Sequence, residues 1–364
     1  MAQIKVGILF GGKSAEHEVS LQSAKNVFDA IDKTRFDPVL IGINKSGEWL
    51  LENSPNDFLI NSDDPKNIKL KTDCDHVVLL PAGRGKLYNL THNKVQVSLD
   101  VIFPILHGPC GEDGTVQGLL KLADIPFVGC GVLGSAVGMD KGVMKSLLVN
   151  EGIPIGKYIV VNKVDDIPSY DLVKNKIGEP CFVKPANMGS SVGVEKIHNE
   201  SEYKKFVEAA FKYDNKIILE EFIEGREIEC AVLGNDEPLA SLPGEVKPQV
   251  EFYSYSAKYL DDKAAIVEVP ASLDEKSVKC VQSLAVKTFK ALSASGLSRV
   301  DLFLKKDGSF LVNEINTMPG FTKISMYPKM WAACGISYSN LITKLIDLAF
   351  ENYNKENAIN TSYA

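Results

Sequence analysis

The residue types best suited to chemistry gather around one expected hairpin. Lys306-Asp307-Gly308-Ser309 sets Asp-Gly between two apolar runs, a strong short-range hairpin signal. A two-residue turn there puts Asp301 opposite Glu314 and Arg299 opposite Asn316. Directly opposed residues project from one face with Cβ atoms about 5 Å apart, so the two carboxylates need a counter-charge. Asn316 points the same way and adds a neutral oxygen. Two carboxylates and an amide on a rigid hairpin suit Mg2+, which takes oxygen ligands and completes its octahedron with water and nucleotide phosphates. Phe303, Phe310 and Val312 are expected to share this face and partly cover it.

Two other stretches fit beside such a site. From Phe182 to Gly193 (FVKPANMGSSVG) a strand delivers Lys184 ahead of a Gly/Ser loop. Lysine offers a point charge to phosphate, and loop N–H groups and hydroxyls can close over it. Taken alone, any polar hairpin reads the same way. From Leu219 to Glu227 (LEEFIEGRE) two strands flank a short connection with acids available for an exocyclic amine or ribose hydroxyls. A charged surface loop is the alternative there.

Two further motifs match only on paper. Gly7 to Ser14 satisfies GxxxxGKS, the phosphate-binding P-loop pattern. Its cradle positions, however, are Ile8, Leu9 and Phe10, which belong inside a buried strand. The charged run Ser14 to Ser20 after the glycine turn lies where ligands usually bind such a sheet. Gly129 to Gly134 spells GxGxxG, but no acidic residue ends the next strand at the spacing a dinucleotide site requires. Both are read as glycine turns.

The elements that must position these residues alternate in kind. Strands are expected over 4–10, 38–43 and 99–106, with helices over 20–31 and from about 115. Residues 47–99 read as an insertion of hairpins and loops. Asp140 can cap a helix over 141–150, and helices are expected over 170–177, 201–213, 272–294 and 340–353. Strands are expected over 157–161, 180–185, 216–223 and 227–233, a loop over 245–262, and a frayed tail after Tyr353. Alternating strands and helices imply an α/β fold with a mostly parallel amino-terminal sheet.

Composition narrows the class. The chain has 364 residues, 45% hydrophobic and 24% charged, which excludes disorder and coiled coil and leaves room for two or three domains. No run approaches a membrane span, and the first residues lack the pattern of a signal peptide. A net charge of −7 argues against a nucleic-acid partner. Seven widely spaced cysteines without a CxxC indicate neither a disulfide framework nor a zinc site, and fit a reducing cytoplasm.

In order, the motifs resemble the ATP-grasp superfamily and, within it, the D-alanine–D-alanine ligase family. The matching stretches are GGKSAEHEVSL (11–21), HGPCGEDGTVQGLL (107–120), GMDK (138–141), VKPANMGSSVGV (183–194), EEFIEGREIE (220–229), YSAKY (255–259), SRVDLF (298–303) and NEINTMPGFTKIS (313–325). They span nearly the whole chain. Lys121 stands where the pattern leads one to expect an acid, and the 47–99 insertion is the least covered part.

The resemblance implies three domains, at 1–128, 129–219 and 220–364, with ATP between the second and third. It implies that Lys141 and Lys184 contact phosphate, that Ser191 belongs to the closing loop, that Glu220 and the Ile223 backbone hold adenine, and that Glu227 holds ribose. Asp301, Glu314 and Asn316 fall on the family's ligands for two Mg2+ ions, which Mn2+ can replace. Glu16 would receive the ammonium of a first D-alanine, with Ser190 and Tyr259 in the same hydrogen-bond network. Arg299 and the Gly320 amide would stabilise an oxyanion, Lys258 and Ser325 would meet the second carboxylate, and His107 would line the pocket. The implied reaction is ATP-dependent formation of D-alanyl-D-alanine through an acyl phosphate, for peptidoglycan, by a cytoplasmic homodimer. A D-alanine–D-lactate ligase or another carboxylate–amine ligase is the alternative. Tyr259, where D-lactate-using relatives typically carry histidine, favours D-alanine as second substrate.

Overall fold

Ile4–Gly11 (β1) is continuously apolar from Val6 on because it lies inside a sheet, where Ile8, Leu9 and Phe10 are fully buried. In this computed structural model, residues 3–52, 58–62, 64, 67–248, 265–322 and 324–360 are described. The buried run excludes a phosphate cradle at Gly7–Ser14. At Gly11, φ is +92°, and a Cβ added there would sit 2.2 Å from the Ile43 carbonyl oxygen, so only glycine makes this turn. His17–Ala30 (α1) follows, starting one turn earlier than its apolar spacing indicated.

β1 pairs in parallel with Phe36–Ile43 (β2) and Val101–Ile105 (β9). The insertion extends this sheet by antiparallel pairing through Trp49–Leu51 (β3), Asp75–Leu79 (β6), Lys86–Asn89 (β7) and Lys94–Ser98 (β8). The order is β8-β7-β6-β3-β2-β1-β9, and Leu59–Ile60 (β4) pairs with Lys69–Leu70 (β5) apart from it. Three helices come next: Thr115–Leu122 (α2), Val132–Met139 (α3) and Lys141–Asn150 (α4). The Asp140 carboxylate caps α4 by accepting from the N–H groups of Gly142 and Val143. In the GxGxxG stretch, a Cβ at Gly134 would lie 2.5 Å from the Ser293 carbonyl oxygen, so this glycine serves close packing.

A second, antiparallel sheet is built from Tyr158–Asn162 (β10), Cys181–Pro185 (β11), Glu195–Ile197 (β12) and Lys216–Glu221 (β13), ordered β10-β13-β11-β12. Tyr170–Ile177 (α5) and Glu200–Ala210 (α6) bury Val173, Ile177, Tyr203 and Val207 against it. The third sheet runs β17-β16-β14-β18-β19 from Gly225–Gly234 (β14), Gly244–Pro248 (β16), Ala265–Glu268 (β17), Gly296–Lys305 (β18) and Phe310–Asn316 (β19), with Leu239–Ala240 (β15) on β14. Glu275–Ala291 (α7) covers one face through Val281, Ala285 and Phe289.

Met326–Ala333 (α8), which the sequence reading missed, and Tyr338–Asn357 (α9) belong to a core that also holds Phe10, Phe103, Ala231 and Leu297. The first and third sheets therefore share one apolar cluster. α9 continues to Asn357, past the fraying expected after Tyr353. Residues 245–248, the start of the expected 245–262 loop, belong to β16, and the rest of that loop lies outside the described residues. Among the described residues no helix is long and apolar enough to cross a membrane.

The β18–β19 hairpin corrects one expectation and keeps another. The N–H of Lys305 bonds the Ser309 carbonyl at 2.9 Å, so the loop is three residues, Lys306-Asp307-Gly308, with Gly308 at φ +82°. The extra loop residue moves the ladder by one, pairing Leu304 with Phe310 and Leu302 with Val312. An irregularity between Asp301 and Leu302 absorbs Asn313 and restores Asp301 opposite Glu314 and Arg299 opposite Asn316. Phe310 and Val312 are thus on the other face, 6% and 0% exposed in the core with Leu302, and they do not cover the carboxylates.

Candidate active site

The ends of β1 and β9 open where ligands bind parallel α/β sheets. Glu16 sits there, at the N-cap position of α1, 8% exposed. Its backbone N–H bonds the Ser14 hydroxyl at 3.1 Å. The Ser190 hydroxyl donates to the Glu16 carboxylate, joining the first sheet to the loop after β11. Ser190 and Ser191 hold φ of +50° and +60°, uncommon for non-glycine residues and typical of strained functional loops. Lys141, at the start of α4, ties the same loop down by donating to the Met188 carbonyl at 2.8 Å.

His107 follows β9. Its Nδ1 lies 3.0 Å from the Met318 carbonyl oxygen, an acceptor only, so Nδ1 carries the proton. Nε2 is then an acceptor, buried and without a hydrogen-bond partner among the described residues. Burial pushes the His107 pKa down, keeping the ring neutral. Glu112, quoted in the HGPCGEDG motif but given no role by the sequence reading, accepts from Gly108 N–H at 2.6 Å and Met318 N–H at 3.3 Å. Met318 N–H also donates to the Asn316 side chain at 3.1 Å. His107 and Glu112 thus hold the backbone C=O and N–H of Met318, two residues from Asn316. Burial and the Glu16 charge raise the Glu112 pKa.

The third sheet presents a row of charges on one face. Glu229 pairs with Asp301, and Asp301 with Glu314, across three adjacent strands. Arg299 offsets part of the row's charge: Nε and Nη2 each lie 2.7 Å from an Asp301 oxygen, and Nε is 3.1 Å from Glu229. Glu229 was missed, although its alternation with Glu227 already placed both on one face. Opposite this row, Glu220 on β13 is 6% exposed and takes two lysines, Lys145 at 2.7 Å and Lys184 at 2.6 Å. Burial would raise the Glu220 pKa, but the two ammonium charges outweigh it and hold the group far below the ordinary carboxylate range. Lys141 Nζ lies 3.7 Å from Glu314. Lys145 was also missed; four residues after Lys141, it lies on the same face of α4.

Of the remaining expected residues, Glu227 is on β14 and Ile223 in the short connection before it, both half-buried. Gly320 and Ser325 are neighbours: a Cβ on Gly320 would lie 3.0 Å from the Ser325 hydroxyl, which accepts from Thr322 N–H at 3.1 Å. Lys258 and Tyr259 lie outside the described residues. The donor set Asp301, Glu314 and Asn316 fits a hard divalent cation, being all oxygen, on one face and doubly charged. Arg299 and Lys141 supply positive charge at those two carboxylates in this structure.

The D-ala D-ala ligase N-terminus family matches residues 5–130 and the D-ala D-ala ligase C-terminus family residues 147–347. The chain is 50% identical over 360 residues to the D-alanine–D-alanine ligase of Oceanobacillus iheyensis, covering 98% of both chains. Among solved structures, the D-alanine-D-alanine ligase from Coxiella burnetii superposes with a TM-score of 0.86 at 35% identity, covering 98% of this chain and 97% of that one. VanG, a D-Ala:D-Ser ligase from Enterococcus faecalis, gives 0.84 at 37% identity, covering 96% and 100%. With both family matches and full-length agreement in sequence and fold, the chain belongs to the D-alanine–D-alanine ligase family, with its ATP-grasp fold.

Proposed function

We propose that this protein is an ATP-dependent ligase that joins two D-alanine molecules into D-alanyl-D-alanine for peptidoglycan synthesis. The observation that carries the reading is the Ser190–Glu16 hydrogen bond. It sets a carboxylate suited to an amino-acid ammonium against the loop anchored by the phosphate-ready Lys141. One pocket then holds an amino acid beside a nucleotide, as transfer of phosphate to a carboxylate requires.

The residues take these roles. Lys141 and Lys184 meet the phosphates beneath the loop carrying Ser191; Glu220 and the Ile223 backbone hold adenine, and Glu227 the ribose. Glu16 binds the first ammonium, with Ser190 and Tyr259 completing its network, and His107 lines the same pocket. Mg2+ held by Asp301, Glu314 and Asn316 would offset phosphate charge as a Lewis acid; two ions, or Mn2+, suit the same oxygens.

The carboxylate of the first D-alanine attacks the γ-phosphorus and ADP departs, leaving an acyl phosphate. Lys258 and Ser325 orient the second D-alanine by its carboxylate. Its amine, as the free base, attacks the activated carbonyl. Arg299 and the Gly320 N–H take up the oxyanion charge of the tetrahedral intermediate, and phosphate leaves. The Ser190 latch excludes water, which would otherwise hydrolyse the acyl phosphate. Residues 1–128, 129–219 and 220–364 are proposed as domains, and the assembly as a cytoplasmic homodimer.

The test supplies the protein with Mg-ATP and D-alanine alone, then with added D-lactate or D-serine. Dipeptide and phosphate in equal amounts from D-alanine alone are expected, with no depsipeptide from D-lactate. D-Alanyl-D-serine as the main product would place the chain with VanG in substrate choice, and absence of any dipeptide would overturn the reading.

A further inference from the structure

We propose that Lys145 is the standing counter-ion of Glu220, a positioning residue that leaves the Lys184 ammonium available to nucleotide phosphate. The inference rests on the ATP-dependent reading above and deepens it at the same site. Lys145 is 3% exposed, and its Nζ lies 2.7 Å from one Glu220 oxygen and 3.3 Å from the Asn313 carbonyl at the hairpin irregularity. Enclosed in this way, it is a partner of the protein's own carboxylate rather than a ligand-binding group. Lys184 holds the other Glu220 oxygen at 2.6 Å and has more room, with 17% of its side chain exposed against 3% for Lys145.

Charge counting gives the consequence. A buried carboxylate stripped of its cation is strongly disfavoured, whereas one that keeps a cation is not. With two lysines on Glu220, Lys184 can turn to phosphate and leave a neutral Lys145–Glu220 pair behind. Without Lys145, phosphate and a buried carboxylate compete for a single ammonium. Lys184 is further held by the charges of Glu314 and Glu227, which strengthens the competition.

Calorimetric binding of Mg-ADP and of adenosine, to folded wild type and variants, tests this through the ratio of the two affinities. In that ratio, effects on adenine cancel. Lys145→Met is expected to weaken Mg-ADP about tenfold or more while changing adenosine less than about threefold. The Michaelis constant for ATP should rise, with that for D-alanine unchanged. Adding Glu220→Gln to Lys145→Met removes the competing charge and should restore most of the ratio. If Lys145→Met alone does not fold, Glu220→Gln is compared with the double variant: with no carboxylate left to neutralise, loss of Lys145 must leave the ratio unaltered. An unchanged ratio in Lys145→Met, no recovery in the double variant, or a fall between Glu220→Gln and the double variant would each refute the counter-ion role. Failure of the wild type to bind either nucleotide or nucleoside would instead remove the ATP-dependent reading itself.

Discussion

At the scale of single residues the site is a set of buried charges held in balance. Glu112 illustrates how such a group bears on stability. Its pKa is raised by burial and by the Glu16 carboxylate, so the folded chain keeps a proton that the unfolded chain has lost above its ordinary value of 4.5. Its stabilising contribution is full below that value and declines as pH rises toward the raised one. Glu112→Gln stays neutral throughout but cannot accept from both Gly108 and Met318 N–H groups. Thermal melts should find the variant less stable near pH ~5, yet losing less stability than wild type between pH ~5 and ~9. A parallel decline in both proteins would mean that Glu112 does not titrate in this interval.

At the scale of elements, the hairpin separates what was legible from what was not. Asp-Gly marks a turn but fits loops of two or three residues, and the structure uses three. The pairing of Asp301 with Glu314 was nevertheless anticipated, because Asn313 adds a residue that offsets the longer loop. A signal was present: the buried residues Phe310, Val312 and Ile315 are spaced by two and then three, which a regular strand does not allow. The helix capped by Asp140 was legible because its determinant is local. Grouping Lys145 with Glu220, or Glu112 with Met318, depends on chain segments that meet only after folding, and no spacing in the sequence encodes it. The turn after β1 makes a prediction at this scale. Gly11→Ala places a methyl 2.2 Å from the Ile43 carbonyl oxygen at φ +92°. It should cost upwards of about 2 kcal/mol in denaturant unfolding, and a loss under about 0.5 kcal/mol would mean the turn relaxes.

At the scale of the whole molecule, α8 and α9 join the first and third sheets in one apolar core, while the Ser190–Glu16 bond links the loop after β11 to the first sheet. The proposed site therefore draws on residues from all three sheets, which suits a reaction needing a nucleotide and two amino acids together. In the proposed reaction, phosphate is transferred to the D-alanine carboxylate before the peptide bond forms. The most direct measurement supplies D-alanine labelled with oxygen-18 in its carboxylate, with Mg-ATP, and follows the released phosphate by mass. The carboxylate oxygen that attacks phosphorus stays with phosphate when the acyl carbon is taken by the amine, so phosphate should carry one labelled oxygen for each dipeptide formed. Unlabelled phosphate, or phosphate released without dipeptide, would contradict the acyl-phosphate route.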